Sequence, residues 1–405
     1  MLLNQGRTIL SIPGPSVIPD RVLLAAHRAS PNIYEGELVD LVDGIHQDLK
    51  HLAQTTGDVA IYPTNGHGAW EAALRNTLVP GDKIVVMANG FFAKRWGAIA
   101  EAVGLEVLYI TQSMDEWADP QRLADVLSEE KNRSVKAVLI VHAETSSSVC
   151  NDVAALRAAI DRSGHDALFM VDCIASLGCD RFEMDKWKVD VAISASQKGL
   201  MTPIGLSFVF FNGKAYASGR RANPGPFWNW EKRARSDGFY DRFHGTASAH
   251  HLFSLREALN MIVREEGIEA VWRRHKVLAE AVWAALDAWS EGGDLRMNVS
   301  NPARRATGVT TVNTAPGVGA KIRRWCEAEA GVTLGNSLGF PAEEVGDHFR
   351  IGHMGHLNLH MILGVLSCME AAMVAQGISH GDGAINAAAN AVADNLRALN
   401  TIPVC

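Results

Sequence analysis

From residue 58 onward, short apolar runs alternate with longer segments whose apolar residues recur at helical spacing. The short runs are Asp58–Tyr62, Lys83–Ala88, Leu105–Ile110, Lys136–His142, Ala167–Asp172, Asp190–Ala195 and Leu206–Phe211. They are rich in Val and Ile and mostly apolar on both faces, the pattern of strands covered on two sides. Between them the spacing predicts helices over Gly68–Leu78, Phe92–Val103, Pro120–Glu130 and Asn151–Arg162. Asn151-Asp152 offers an N-cap for the last of these and Ser163-Gly164 a stop. Such alternation implies right-handed crossovers and a mostly parallel, doubly wound α/β sheet.

After residue 250 the rhythm changes. A helical stretch over Leu252–Glu266 resumes over Ile268–Trp289 beyond a break at Gly267, followed by a mixed region (Thr307–Asn313) and helices over Gly319–Gly331, Met361–Gln376 and Asp382–Leu399. The expected division is an N-terminal arm (residues 1–20), a large domain (21–265) and a smaller C-terminal α+β domain (266–405).

With 405 residues, 47% hydrophobic and 20% charged, the chain has the composition of a globular protein rather than a disordered one. Thirty-eight basic against 45 acidic side chains leave a net charge of −7, which argues against nucleic acid or an anionic membrane surface as partner. No apolar run reaches the ~18 residues of a membrane span, and the N-terminus lacks a basic region followed by a long apolar one. Cys150, Cys173, Cys179, Cys326, Cys368 and Cys405 form no Cys-x-x-Cys pair, so free thiols in a reducing, cytoplasmic setting are expected. His244, His250, His251, His353, His356 and His360 lack metal-ligand spacing, and no metal is expected. Arg220, Arg221, Lys232, Arg233 and Arg235 are interleaved with acids and read as a solvated face. The aromatic segment Pro226–Trp230 is expected at a subunit interface, in preference to a place roofing the pocket.

In an open parallel sheet the ligand sits where the strands end. Thr64-Asn65-Gly66-His67-Gly68 follows the first apolar run and opens a helix, a geometry that can cradle a phosphate. Asp172 ends another run, where a buried carboxylate needs a cation or donor. Ser196-Gln197-Lys198 lies between two core-like runs, and a desolvated lysine is a nucleophile toward carbonyls. A row of hydroxyls follows His142, and Phe91-Phe92 follows Lys83–Ala88. An imine-forming lysine, an acid for a pyridine nitrogen, a phosphate cradle and an aromatic platform are together what pyridoxal 5′-phosphate (PLP) requires.

These residues resemble the serine/alanine–glyoxylate aminotransferases, class-V members of the fold-type I PLP enzymes. The resemblance rests on Pro13-Gly14-Pro15-Ser16, Asn65-Gly66-His67, Val171-Asp172, Ser196-Gln197-Lys198, Ser254-Leu255-Arg256-Glu257 and Arg350-Ile351-Gly352. It implies a fold-type I PLP transferase with a large, mostly parallel seven-stranded domain flanked by helices and a smaller C-terminal domain. It also implies a homodimer with shared sites. Lys198 would hold PLP through an imine and shuttle a proton, and Asp172 would pair with the pyridine nitrogen. Asn65, Gly66, His67 and Gln197 would surround the phosphate; Phe92 would stack on the ring where many members have tryptophan. Ser146, with Thr145 nearby, would approach the phenolic oxygen, Ile174 would pack under the ring, and Arg350 would clamp a substrate carboxylate. A neighbouring subunit would add Thr246, while Phe243 stands where the family has a phosphate-binding tyrosine. Tyr34 and Glu35 occupy the segment that lines the family's substrate mouth.

The implied activity is ping-pong transfer of an amino group from serine, alanine or aspartate to glyoxylate or another small 2-oxo acid. The alternatives on the same fold are pyridoxamine–pyruvate or ureidoglycine–glyoxylate transamination, or a cysteine-desulfurase-like lyase, disfavoured because no cysteine sits on an evident mobile loop. A nucleotide-binding protein without PLP would need a Gly-x-Gly-x-x-Gly turn after the first strand, and that turn is missing.

Overall fold

The computed structural model describes residues 3–129, 131 and 133–400; Glu130 and Cys405 lie outside them. Seven strands form the large sheet: β1 (Asp58–Tyr62), β2 (Lys83–Ala88), β3 (Glu106–Thr111), β4 (Val135–Val141), β5 (Leu168–Asp172), β6 (Val191–Ala195) and β7 (Ser207–Phe211). Their order is β1-β7-β6-β5-β4-β2-β3. Pairings among β2 to β6 are parallel, whereas β7 runs antiparallel to both β6 and β1.

Alternation along each strand divides the core between the two faces. Val59, Ile61, Val138, Ile140, Phe169 and Val171 face one layer, with the helices Glu37–Leu52, Pro120–Ser128, Val153–Arg162 and Ala249–Leu259. Ala60, Tyr62, Leu139, Met170 and Ile193 face the other, with Gly66–Thr77 and Phe91–Ala102. Asp152 caps Val153–Arg162 by accepting the Ala155 N–H at 2.9 Å, and Ser163 ends it. The helix Ala249–Leu259 continues as a π-helical stretch, Asn260–Glu266, which stops at Gly267 with φ +82°.

A second sheet of five strands runs Ile9–Ser11, Val332–Asn336, His348–Gly352, Val309–Asn313 and Arg296–Met297 from edge to edge. Its first strand comes from the expected N-terminal arm and pairs parallel with Val332–Leu334. Helices Ile268–Ser290, Val318–Ala330 and Leu359–Ala375 cover this sheet, and Ala384–Asn400 packs against the first and last of them. Within Ile268–Ser290 the packing changes partner: Val271 and Trp272 join the large core, Leu278 and Val282 the small one.

The basic segment departs from its expected solvated state at Arg233, which is 1% exposed. Its guanidinium donates to the carbonyls of Phe227 and Ile61 at 2.9 and 3.2 Å and lies over the rings of Tyr62 and Phe227. Backbone acceptors and ring faces replace water there, a compensation that interleaved charges in a sequence do not reveal. Trp230 is likewise core, stacked on Phe211 with centroids 4.2 Å apart. In the Ser254–Glu257 motif, Arg256 pairs with Asp48 and Glu257 with Arg21 at 2.5 Å, tying the Ala249–Leu259 helix to its neighbours.

Candidate active site

The carboxyl ends of the large sheet's strands open onto a cavity of about 300 Å3. Asn65, Gly66 and His67 form its wall after β1, and Phe92 follows β2. Thr145 comes from beyond β4, Asp172 and Ile174 from β5, and Gln197 and Lys198 from beyond β6. Lys198 and Asp172 therefore face one space.

Asp172 is 3% exposed. Its Oδ1 accepts the Ile174 N–H at 2.7 Å, and its Oδ2 accepts the Trp70 indole N–H at 2.8 Å. Burial still pushes its pKa up to about 7, because those neutral donors only partly replace water. Lys198 Nζ donates to the Pro13 carbonyl. Burial, helped by the Arg350 charge, lowers the Lys198 pKa from 10.5 to about 8.

The strap Pro13–Ser16 lies directly on this lysine: Ser16 N donates to Gln197 O at 2.9 Å and Ser16 Oγ to Lys198 O at 2.7 Å. Gly14, at φ +94°, leaves no room for a side chain, since a Cβ there would stand 2.4 Å from Lys198 Nζ.

The glycine cradle is closely fitted. A Cβ on Gly66 would stand 2.4 Å from Ile174 Cδ1. Asn65 caps the helix Gly66–Thr77, its Oδ1 accepting from the N–H groups of His67 and Gly68 at 3.1 and 3.3 Å. Those two helix-start donors thus already have a partner, and the side chains of His67 and Gln197 remain toward the cavity. Gln197 Oε1 is buried with no hydrogen-bond partner among the described residues.

Arg350, on the strand His348–Gly352, reaches across from the five-stranded sheet. It donates from Nε to Asn336 O at 2.7 Å and from Nη1 to Thr145 O at 3.0 Å, beside the cavity wall. Burial pulls its pKa down to about 10.

Ser146 stands one step behind the wall. Its hydroxyl donates to Glu144 Oε1 at 2.6 Å and accepts the Phe91 N–H at 3.1 Å, while Thr145 fronts the cavity. Tyr34, 81% exposed, and Glu35 lie on an exposed loop away from the cavity wall. Thr246 is also exposed. Phe243 is buried in its own core against Phe239, so its ring faces inward.

Sequence reasoning missed Trp70 on the cavity wall and Glu144 behind it. Trp70 lies three positions beyond His67 on one helix face, and its ring stacks on Trp96 with centroids 5.8 Å apart. Glu144 is fully buried; it is an acid near a buried strand end, the signal that singled out Asp172. The candidate metal histidines have other partners, such as His353 between Thr310 Oγ1 and Thr307 O and His251 on Ile204 O.

A seven-stranded, mostly parallel sheet with one reversed strand, and a lysine and an acid meeting beyond its strand ends, define the fold-type I transferases. Residues 24–345 match the Aminotransferase class-V family, and the chain belongs to it: this protein is an aminotransferase. It is 36% identical over 397 residues to a serine–glyoxylate aminotransferase of Methylorubrum extorquens, covering 96% of each chain. An L-aspartate–glyoxylate aminotransferase of Paracoccus denitrificans is 33% identical over 375 residues, 91% of each chain. The structure of an alanine–glyoxylate aminotransferase from Nostoc sp. superposes with a TM-score of 0.82 at 27% identity, over 91% of this chain and 96% of that one. Among the described residues no helix is long and apolar enough to cross a membrane.

Proposed function

We propose that this aminotransferase uses PLP to move an amino group from a small L-amino acid (serine, alanine or aspartate) to glyoxylate or another small 2-oxo acid, binding donor and acceptor in turn. The observation that carries the reading is Lys198 and Asp172 on one small cavity with Arg350 at its edge. The serine–glyoxylate and L-aspartate–glyoxylate aminotransferases among its relatives support the choice of substrates.

The residues present suit the cofactor. Asp172 is a buried acid whose two protein donors are neutral, so a ring N–H cation would complete it. Gln197, on the cavity wall, carries an unpaired polar atom, and Gly66 lets Ile174 pack directly against the turn. When bound, PLP supplies an aldehyde that condenses with amines and a ring that withdraws electrons from the substrate Cα.

The chain supplies the rest. Lys198 Nζ, held dry and easily deprotonated, accepts the Cα proton and returns it on the far side of the transfer. Asp172 would hold the ring nitrogen in its protonated form. Phe92 and Ile174 would pack on the ring, His67 and Gln197 would hold the phosphate near the Asn65-Gly66 turn, and Thr145 would hold the phenolic oxygen, with Ser146 behind it. Arg350 has Nη2 without a protein partner among the described residues, so it can grip the carboxylate common to donor and acceptor.

The same reading makes the protein a cytoplasmic homodimer in which exposed Thr246 serves the neighbouring cavity and Tyr34 and Glu35 shape the substrate mouth. Phe243, turned into its own core, takes no part in that shared site. A desulfurase-like lyase is not favoured, since no cysteine is among the cavity-lining residues.

A panel of amino donors against glyoxylate, with glycine formation as readout, tests the proposal. Serine, alanine or aspartate supports turnover and Lys198→Ala abolishes it with the fold intact. Glycine formed undiminished by Lys198→Ala contradicts the reading.

A further inference from the structure

The helix Phe91–Ala102 begins without a cap of its own: Gly90 stands at its N-cap position and offers no side chain. Its first N–H groups need partners, because a helix start leaves several donors unsatisfied. All three of the first are met from another element. Phe92 N and Ala93 N donate to Glu144 at 3.3 and 3.1 Å, and Phe91 N donates to Ser146 Oγ at 3.1 Å. Ser146 in turn donates to Glu144 Oε1 from its hydroxyl at 2.6 Å and from its backbone N–H at 3.2 Å. The fit is close, since a Cβ on Gly90 would stand 2.1 Å from Glu144 Cγ.

A serine or aspartate at position 90 would cap a helix cheaply. Here a fully buried carboxylate does it across a gap in sequence, and burying that group costs free energy. What the arrangement adds is position. The anchored turn carries Phe92 at the cavity wall, and Thr145, between Glu144 and Ser146, fronts the same cavity while its carbonyl receives Arg350.

We propose that Glu144 is a positioning residue for amino transfer: its carboxylate locks the first turn of the Phe91–Ala102 helix to the Glu144–Ser146 turn, setting the Phe92 ring, Thr145 and Arg350 in register around the cavity. This rests on the reading that the cavity binds PLP, and it assigns Glu144 no contact with the reacting atoms.

The test is a PLP-binding titration of cofactor-free protein, read by visible absorbance and circular dichroism, with thermal unfolding alongside. Glu144→Gln keeps one acceptor oxygen and loses the other. It weakens PLP binding about tenfold, reduces the dichroism of the bound band and raises KM for glyoxylate. Asp119→Ala removes a cap of another helix, on Gln121 N at 2.8 Å, and lowers the melting temperature with PLP affinity unchanged.

In a double-mutant cycle, Glu144→Gln weakens PLP less in the Phe92→Ala background than in the parent, because part of its effect runs through the Phe92 ring. Should Glu144→Gln not fold, Ser146→Ala breaks the same link and shifts PLP affinity in the same direction. If Glu144→Gln loses melting temperature but keeps PLP affinity and dichroism, or the two substitutions add fully, the positioning role is overturned. If the unsubstituted protein binds no PLP, the cofactor reading falls and this inference with it.

Discussion

At the scale of single residues, the site depends on two groups whose ionisation burial moves in opposite directions. Asp172 is raised to about 7 and Lys198 lowered to about 8. An ordinary lysine stays protonated until pH 10.5, whereas Lys198 gives up its proton near 8, so its free amine appears at lower pH. The rate of PLP capture by cofactor-free protein therefore rises through pH 8 and levels off above it; a rate still climbing at pH 10 contradicts a buried Lys198. Both residues were legible in the sequence, because a charged group ending an apolar strand stands out. Ser146 and Thr145 were not separable, since which of two adjacent hydroxyls faces a cavity depends on the turn. Nor did the sequence reveal that Asn65 caps its own helix, engaging N–H groups that the glycine-rich turn offered to an anion.

The elements were legible to the extent that their cores are simple. β1 and β2 coincide with their apolar runs, and the other five strands differ by a residue at one or both ends. The reversal of β7 was not written in its apolar pattern; it follows from the connection Ser196–Leu206, which is too short for the dozen or more residues of a parallel crossover. The strap Pro13–Ser16 appeared in the sequence as a motif without a mechanism. Its contacts give one: it joins the edge strand of the small sheet to Lys198. Gly14→Ala forces a methyl group into the lysine side chain. The expected outcome is a melting temperature within a few degrees of the parent and at least a tenfold slower PLP capture, compared by differential scanning fluorimetry and visible absorbance. Unchanged capture would mean that the strap does not constrain Lys198.

Over the whole molecule, the five-stranded sheet contributes Arg350 and the strand ends of the seven-stranded one contribute Lys198 and Asp172, so the site is an agreement between two cores. Arg350→Ala removes the group beside Thr145 and weakens carboxylate substrates by about 2–3 kcal/mol, read as a higher KM for glyoxylate with kcat less affected. That a second sheet with its own core follows the first could be read from the change in rhythm after residue 250. That residues 9–11 close the second sheet could not, because a three-residue strand has too little pattern to find its partner 323 residues away.

The most direct measurement is the visible spectrum of the PLP-loaded protein during one half-reaction. The visible band is expected to disappear when L-serine, L-alanine or L-aspartate is added alone and to return on addition of glyoxylate, with neither change in Lys198→Ala. A protein that stays colourless with excess PLP, or a band that no amino donor alters, contradicts it.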